Sequence, residues 1–265
     1  MRAILPALVV SFAVNAAPPV PRVVSSPNGQ TSIMEAAMVC PTKNEKARKL
    51  YNDGNDAEEA GKVAEALKLF DAAAKLDPKF CDAMDNVGLM HRRQGDLDEA
   101  IAWYRKSLAV VSKNGSARMN LAAALRMKKD FDASATEYAA LIKLLPEDPE
   151  GYYGLASVKL DLDKPKEAVA PLLDAERLYL AMKSPYVSDA RVLLGRTYFK
   201  LENWAAAAKY LALVVATTPN DANANLQLGT ALMKLKKKAE ARPYLNKVRA
   251  LGGVVPDELA TEAGL

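Results

Sequence analysis

A 34-residue periodicity runs through most of the chain and constrains its fold more than any other feature. Gly54, Gly88, Ala122 and Ala156 stand 34 residues apart in succession, and Gly195 and Gly229 are again 34 apart. Only the step from Ala156 to Gly195 is longer, at 39. Twelve positions after these markers comes a second small-residue series: Ala66, Ala100, Ser134, Ala168, Ala207 and Ala241. Four positions later comes a bulky series: Phe70, Tyr104, Tyr138, Leu172, Leu211 and Leu245. Pro78, Pro146 and Pro219 close three of the units. A period of this length marks a solenoid of short repeating units. Two antiparallel helices that cross closely need small residues at the crossing. The bulky residue then fills the space toward the next unit, and the proline, which has no N–H, stops the second helix.

Composition agrees with helices. The chain holds 47 Ala and 34 Leu but only 13 Gly and 6% aromatic residues, which argues against an all-β sandwich or barrel. Charged residues make up 26% and hydrophobic residues 50%, so the chain is not globally disordered. One His and two Cys exclude His-rich metal sites and zinc-finger spacings. No nucleophile elbow, phosphate-binding Gly loop or paired metal motif is present, so no catalytic residue, cofactor or metal is expected. The net charge of +4 is too mild to imply nucleic acid. His91, with no reactive neighbours in sequence, reads as a packing residue.

The three series resemble the pattern of the tetratricopeptide repeat (TPR) family over Ala47 to Val255, 209 of 265 residues. The resemblance implies an all-α fold, an α-solenoid wound as a right-handed superhelix of six helix-turn-helix units. The units fall at 47–80, 81–114, 115–148, 149–182, 188–221 and 222–255. The tryptophan that the family pattern carries at position 4 is replaced by Leu50, Met84, Arg118, Tyr152, Arg191 and Asn225. The closing proline is replaced by Ser112, Leu180 and Gly253 in units two, four and six. The extra residues 183–187 are expected to lengthen the second helix of unit four or the turn after it.

In this family the first helix of each unit lines the concave side, and equal positions form rows along it. Position 6 reads Asn52, Asn86, Asn120, Gly154, Leu193 and Gln227. An asparagine amide both donates and accepts, so it matches one peptide unit of an extended ligand. The row resembles the asparagine ladder of the TPR superhelix in O-GlcNAc transferase. With Asn55 and Tyr153 on neighbouring groove positions, it gives the expected peptide-binding residues. The competing reading is a polar exposed helix face without a ligand. The chaperone-type clamp for a C-terminal carboxylate is only half matched: Asn55 and Asn86 fit, whereas Tyr51, Ser116 and Asn120 do not. Val192, Leu193, Phe199, Leu226 and Met233 make the later groove apolar, either as partner anchors or as a surface under a folded-back C-terminal helix, Asp257 to Ala263. Arg92, Arg93 and Arg126 place a basic spot in its middle.

The ends carry further expectations. Arg2, the apolar run Ala3 to Val14 and the small residues Val14-Asn15-Ala16 read as a secretory signal peptide over 1–16. Residues 17–46 read as a Pro/Ser-rich linker with a short helix from Ile33 to Val39, and 256–265 as a tail. Export puts the protein in a periplasmic or extracytoplasmic space, where Cys40 and Cys81 are expected either to bridge or to remain buried thiols. Unit six carries Lys234, Lys236, Lys237, Lys238, Arg242, Lys247 and Arg249 against Glu240. This reads as a solvated capping face, or as a peripheral contact with anionic lipid or an acidic partner. The expected function is a non-enzymatic scaffold that binds another protein or peptide segment in the cell envelope, in pilus, secretion, outer-membrane or motility complex assembly. The alternative is a non-catalytic accessory subunit of an envelope enzyme system.

Overall fold

A computed structural model describes residues 40–265 and two short strands, β1 (Val23–Ser25) and β2 (Thr31–Ile33). The signal-peptide segment 1–16 lies outside the described residues. So does most of the expected helix from Ile33 to Val39, and Ile33 itself ends β2 rather than starting a helix. β1 and β2 pair antiparallel inside the stretch read as linker. The Ser-Pro-Asn-Gly run between them is turn-forming sequence.

Twelve helices follow in six antiparallel pairs: α1 (Glu45–Glu59) with α2 (Val63–Leu76), α3 (Cys81–Gln94) with α4 (Leu97–Val110), and α5 (Gly115–Met127) with α6 (Phe131–Leu144). Then come α7 (Pro149–Asp161) with α8 (Pro165–Ala181), α9 (Val187–Lys200) with α10 (Trp204–Thr217), and α11 (Ala222–Lys234) with α12 (Lys238–Ala250). A short α13 (Asp257–Ala263) ends the chain. Side chains set six of the starts. Asn44, Asn114, Asp130, Asp148, Asn203 and Asp221 each accept a hydrogen bond from a backbone N–H of the first turn, satisfying donors that the helix leaves free. Asn44 starts α1 two residues ahead of the expected unit boundary.

The turn inside each pair uses a left-handed residue at one repeat position: Gly61, Gly95, Lys129, Asp163, Glu202 and Lys236. The first two are glycines, which adopt that conformation freely, while the other four hold it at a steric cost. The extra residues of unit four leave this turn untouched. α8 runs to 17 residues, against 14 in α2, α4, α6 and α10, and residues 182–186 form the loop before α9.

The crossings explain the residue series. Ala66, Ala100, Ser134, Ala168, Ala207 and Ala241 are all fully buried. A Cβ added at Gly54 would stand 2.7 Å from the Phe70 ring, and one at Gly88 would stand 2.7 Å from the Tyr104 ring. The polar residues at position 4 have local partners. Arg118 pairs with Glu137 and Arg191 with Glu176 on the preceding or paired helix, and Asn225 donates to the carbonyls of Pro219 and Asp221. Along the stack, α3 touches α5, α5 touches α7 and α9 touches α11, whereas successive second helices make no comparable contact. The array therefore curves with the first helices on its inner face. α1 meets α3 through side chains, Asn55 with Asn86 and Glu58 with Arg93.

Candidate binding groove

The inner face begins at a staple. Cys40 and Cys81 are bonded, with Cα atoms 5.5 Å apart. Cys81 is the first residue of α3, so the bridge holds the chain before α1 onto the second unit. Thr42 reinforces it by donating to Asp77, and Arg48 donates to the Thr42 carbonyl at 2.7 Å.

The asparagines predicted to form one row do not share one environment. Asn52 is exposed, while Asn86 and Asn120 are recessed to 9% and 8% exposure. Asn86 Nδ2 donates to Asn55 Oδ1 at 3.4 Å, so these two amides form a pair across α1 and α3. Tyr51 stands beside both. Burial pushes its phenol far above the usual range, opposed by hydrogen bonds with Asn86 and Asn55. Among the described residues, the side chains of Asn52 and Asn120 make no hydrogen bond, which leaves their amides available.

The row stops at Gly154 for a steric reason. In units one and two the aromatic ring lies against a glycine of its own first helix. Unit three has Ala122 there, in one core cluster with Tyr138, and the ring of Tyr138 also lies against Gly154 of the next unit. A Cβ at Gly154 would stand 2.1 Å from that ring. We therefore expect Gly154→Ala to destabilise the array by roughly 1–3 kcal/mol despite alanine's better helix propensity. Urea unfolding measures this, and Tyr138→Leu in the same background should recover most of the loss. Tyr153 lies beside this point, half-buried and edge-on to Tyr179 with centroids 6.3 Å apart.

A buried polar cluster joins units two and three. Asn114, which caps α5, donates through Nδ2 to Asp85 Oδ2 at 2.8 Å and to Ser107 Oγ at 3.1 Å. Asp85 Oδ1 is buried without a partner. Burial pushes the Asp85 carboxyl up to about 7, opposed by the hydrogen bonds from Ser107 and Asn114. Asp82, which accepts from the Cys40 N–H, is raised by burial to about 6. The periodic reading missed this cluster because it followed position 6. At position 5 the series is Tyr51, Asp85, Met119, Tyr153, Val192 and Leu226, in which Asp85 is the one charged residue.

Toward the C-terminus, Met233 is buried and Leu226 packs against the same core. Ala260 and Ala263 of the tail join that core as well. α13 packs on α12, the second helix of unit six, where Arg242 donates to the carbonyls of Ala263 and Gly264. One of the basic residues of unit six, Arg242, is thus spent on holding the folded-back helix. His91 is largely buried, with Nδ1 3.5 Å from Asp96. Among the described residues, no group of metal-ligating side chains occurs and no helix is long and apolar enough to cross a membrane.

The tetratricopeptide repeat family profile matches residues 51–115, 120–185 and 192–254, well over half of the chain. The chain belongs to the tetratricopeptide repeat family. Similar proteins include the photosystem I assembly protein Ycf3 of Rippkaea orientalis, 33% identical over 85 residues, or 30% of this chain and 49% of that protein. The chain thus matches about half the length of that relative. A TPR protein from Parabacteroides merdae has the same fold with a TM-score of 0.62 at 20% identity, covering 83% of this chain and 85% of that one. The pilF protein of Pseudomonas aeruginosa aligns with a TM-score of 0.66 at 19% identity, covering 78% of this chain and 92% of its own. At these identities the likeness is one of TPR fold.

Proposed function

We propose that this TPR scaffold holds an extended segment of a partner protein along the inner face of units one to four. We place it in the cell envelope, as an assembly factor. The observation that carries the binding mode is the line of amides on the inner face: Asn52 and Asn120 without protein partners, flanking the Asn55–Asn86 pair. Such amides accept from and donate to a ligand backbone with little demand on its sequence. The photosystem I assembly role in the name of Ycf3 supports assembly as the class of task. The apolar run after Arg2 supports export.

A photo-reactive residue at Asn52 should cross-link to one contiguous segment of a partner in an envelope fraction. That segment, made as a peptide, should lose about tenfold or more in affinity when Asn86 and Asn120 are both replaced by Ala. This follows from roughly 1 kcal/mol for each hydrogen bond lost. Unchanged affinity with unchanged helical content would overturn the binding mode. Intact mass of the envelope-purified chain, with or without residues 1–16, tests export.

A further inference from the structure

We propose that the Cys40–Cys81 bridge is a reversible exchange site for a dithiol reductant, with Asp85 as the proton donor to the departing Cys81 sulfur. The two sulfurs are unequally placed. Cys40 is half-exposed, whereas Cys81 is fully buried. An incoming thiolate therefore reaches Cys40 Sγ, and Cys81 is the sulfur that leaves. It leaves into an acidic surrounding. Asp82 follows it in sequence, and Asp85 stands one turn further along α3 on the same face. The N-terminus of α3 favours a thiolate at Cys81, but the two carboxylates oppose it. Departure as a neutral thiol removes that conflict.

The packing holds Asp85 in place for this step. Asn114 Nδ2 stands 2.8 Å from Asp85 Oδ2 and 3.7 Å from Cys81 Sγ, so one amide touches both groups. Oδ2 is taken by that contact, while Oδ1 is buried without a partner and is the oxygen that carries the proton. Burial raises the Asp85 carboxyl to about 7, so near neutral pH it both holds a proton and releases it. The other ionisable groups around it are Asp82 on α3, Tyr51 on α1 and Tyr104 on α4. Both phenols stay neutral, and the Asn114 cap of α5 carries no charge.

The exchange balances as follows. One thiolate of the dithiol attacks Cys40 Sγ and the Cys40–Cys81 bond breaks. Its electron pair goes to Cys81, which takes the Asp85 proton. The second thiolate then attacks the reductant's own sulfur in the mixed disulfide and releases Cys40, which is protonated from water. The bridge gains two electrons and two protons, the dithiol becomes a disulfide, and Asp85 recovers its proton from solvent. Unit one, which carries Asn52 and Asn55, is then no longer tied to the start of α3.

Reduction by dithiothreitol, followed through released thiols, is compared in the full chain and in Asp85→Asn at pH 6 and pH 8.5. The ratio of the two rates at each pH cancels the ionisation of the reductant. The variant should be about fivefold or more slower at pH 6, where Asp85 holds its proton. At pH 8.5 it should be equal or faster, because Asp85 then has no proton to give and its charge opposes the leaving sulfur. With 2-mercaptoethanol and an acid quench, the mixed disulfide of the unsubstituted chain should map to Cys40. A rate ratio that does not change with pH, or a variant that is slower only at pH 8.5, overturns the proton transfer. The second pattern is that of a bridge which reacts only after unit one opens, since the substitution stabilises the array at high pH. An adduct on Cys81 overturns the order of attack.

Discussion

Replacing Cys40 with serine should remove about 4 kcal/mol from the first unit while leaving units three to six unchanged. The magnitude comes from the chain entropy released when a cross-link between residues 41 apart is lost. The location comes from the architecture. Stability in a stacked array is a sum of unit and interface contributions, so an end unit with one neighbour opens first. The bridge spans all of unit one and ties the residues before α1 to the start of α3. With it, opening α1 and α2 leaves a closed loop; without it, they open as a free end. Thr42–Asp77, the Arg48–Thr42 contact and the Asn44 cap survive the substitution, so the loss falls at or below the chain-entropy value. Hydrogen exchange should show lost protection over 45–76 and unaltered protection over 115–250. Reductant should reproduce the effect in the unsubstituted chain and add nothing to the variant. Uniform loss along the array would show that the bridge stabilises the whole stack and not its end. Because Asn52 and Asn55 lie on α1, the same variant should weaken ligand capture.

The parts of this molecule that were legible in the sequence are those that repeat. Gly54 and Phe70, or Gly88 and Tyr104, must meet wherever two helices cross, so the same steric demand recurs and leaves a visible period. The groove was legible only as a set of positions. Asn52, Asn86 and Asn120 are equivalent by count, yet Asn52 is exposed while Asn86 is recessed and bonded to Asn55. That difference depends on Tyr51 and on α1 being the first helix, neither of which a repeat register contains. Ala122 shows the same limit. Its unit has an alanine where units one and two have glycine, and the Tyr138 ring lies against Gly154 of the next unit, where the row ends. Tail placement was hidden because it turns on Arg242 reaching the carbonyls of Ala263 and Gly264, 21 and 22 residues away. Nor did the period mark Asp85, whose environment is built from Asn114, Ser107 and Cys81 of the same unit folded onto it.

Asp85→Asn should stabilise the protein at pH 8 by roughly 1–3 kcal/mol and leave it nearly unchanged at pH 5. The sign follows from the direction of the shift. Asp85 is only 7% exposed and its carboxyl is raised from 3.8 to about 7 by burial. A carboxyl raised on folding favours the protonated folded state. Its contribution is complete below about pH 4 and is lost as pH rises through about 7. Three units at 1.36 kcal/mol each bound that loss at about 4 kcal/mol. Asp82, raised to about 6, adds a smaller fall in the same direction, and its charge is among the groups that raise Asp85. The other ionisable groups that interact with Asp85, Tyr51 and Tyr104, are held neutral by burial and do not titrate in this window. An asparagine keeps the acceptor that Asn114 Nδ2 requires and places a neutral amide where Asp85 Oδ1 now has no partner. The neutral group still lacks a partner, which is why the expected gain is smaller than the full linkage value. Urea unfolding at pH 5, 6.5 and 8 reads the effect: the unsubstituted protein should lose stability across the series, and the variant should keep only the part due to Asp82. Equal slopes in the two proteins would mean that Asp85 is hydrated in solution and that the junction of units two and three is looser than its hydrogen bonds indicate.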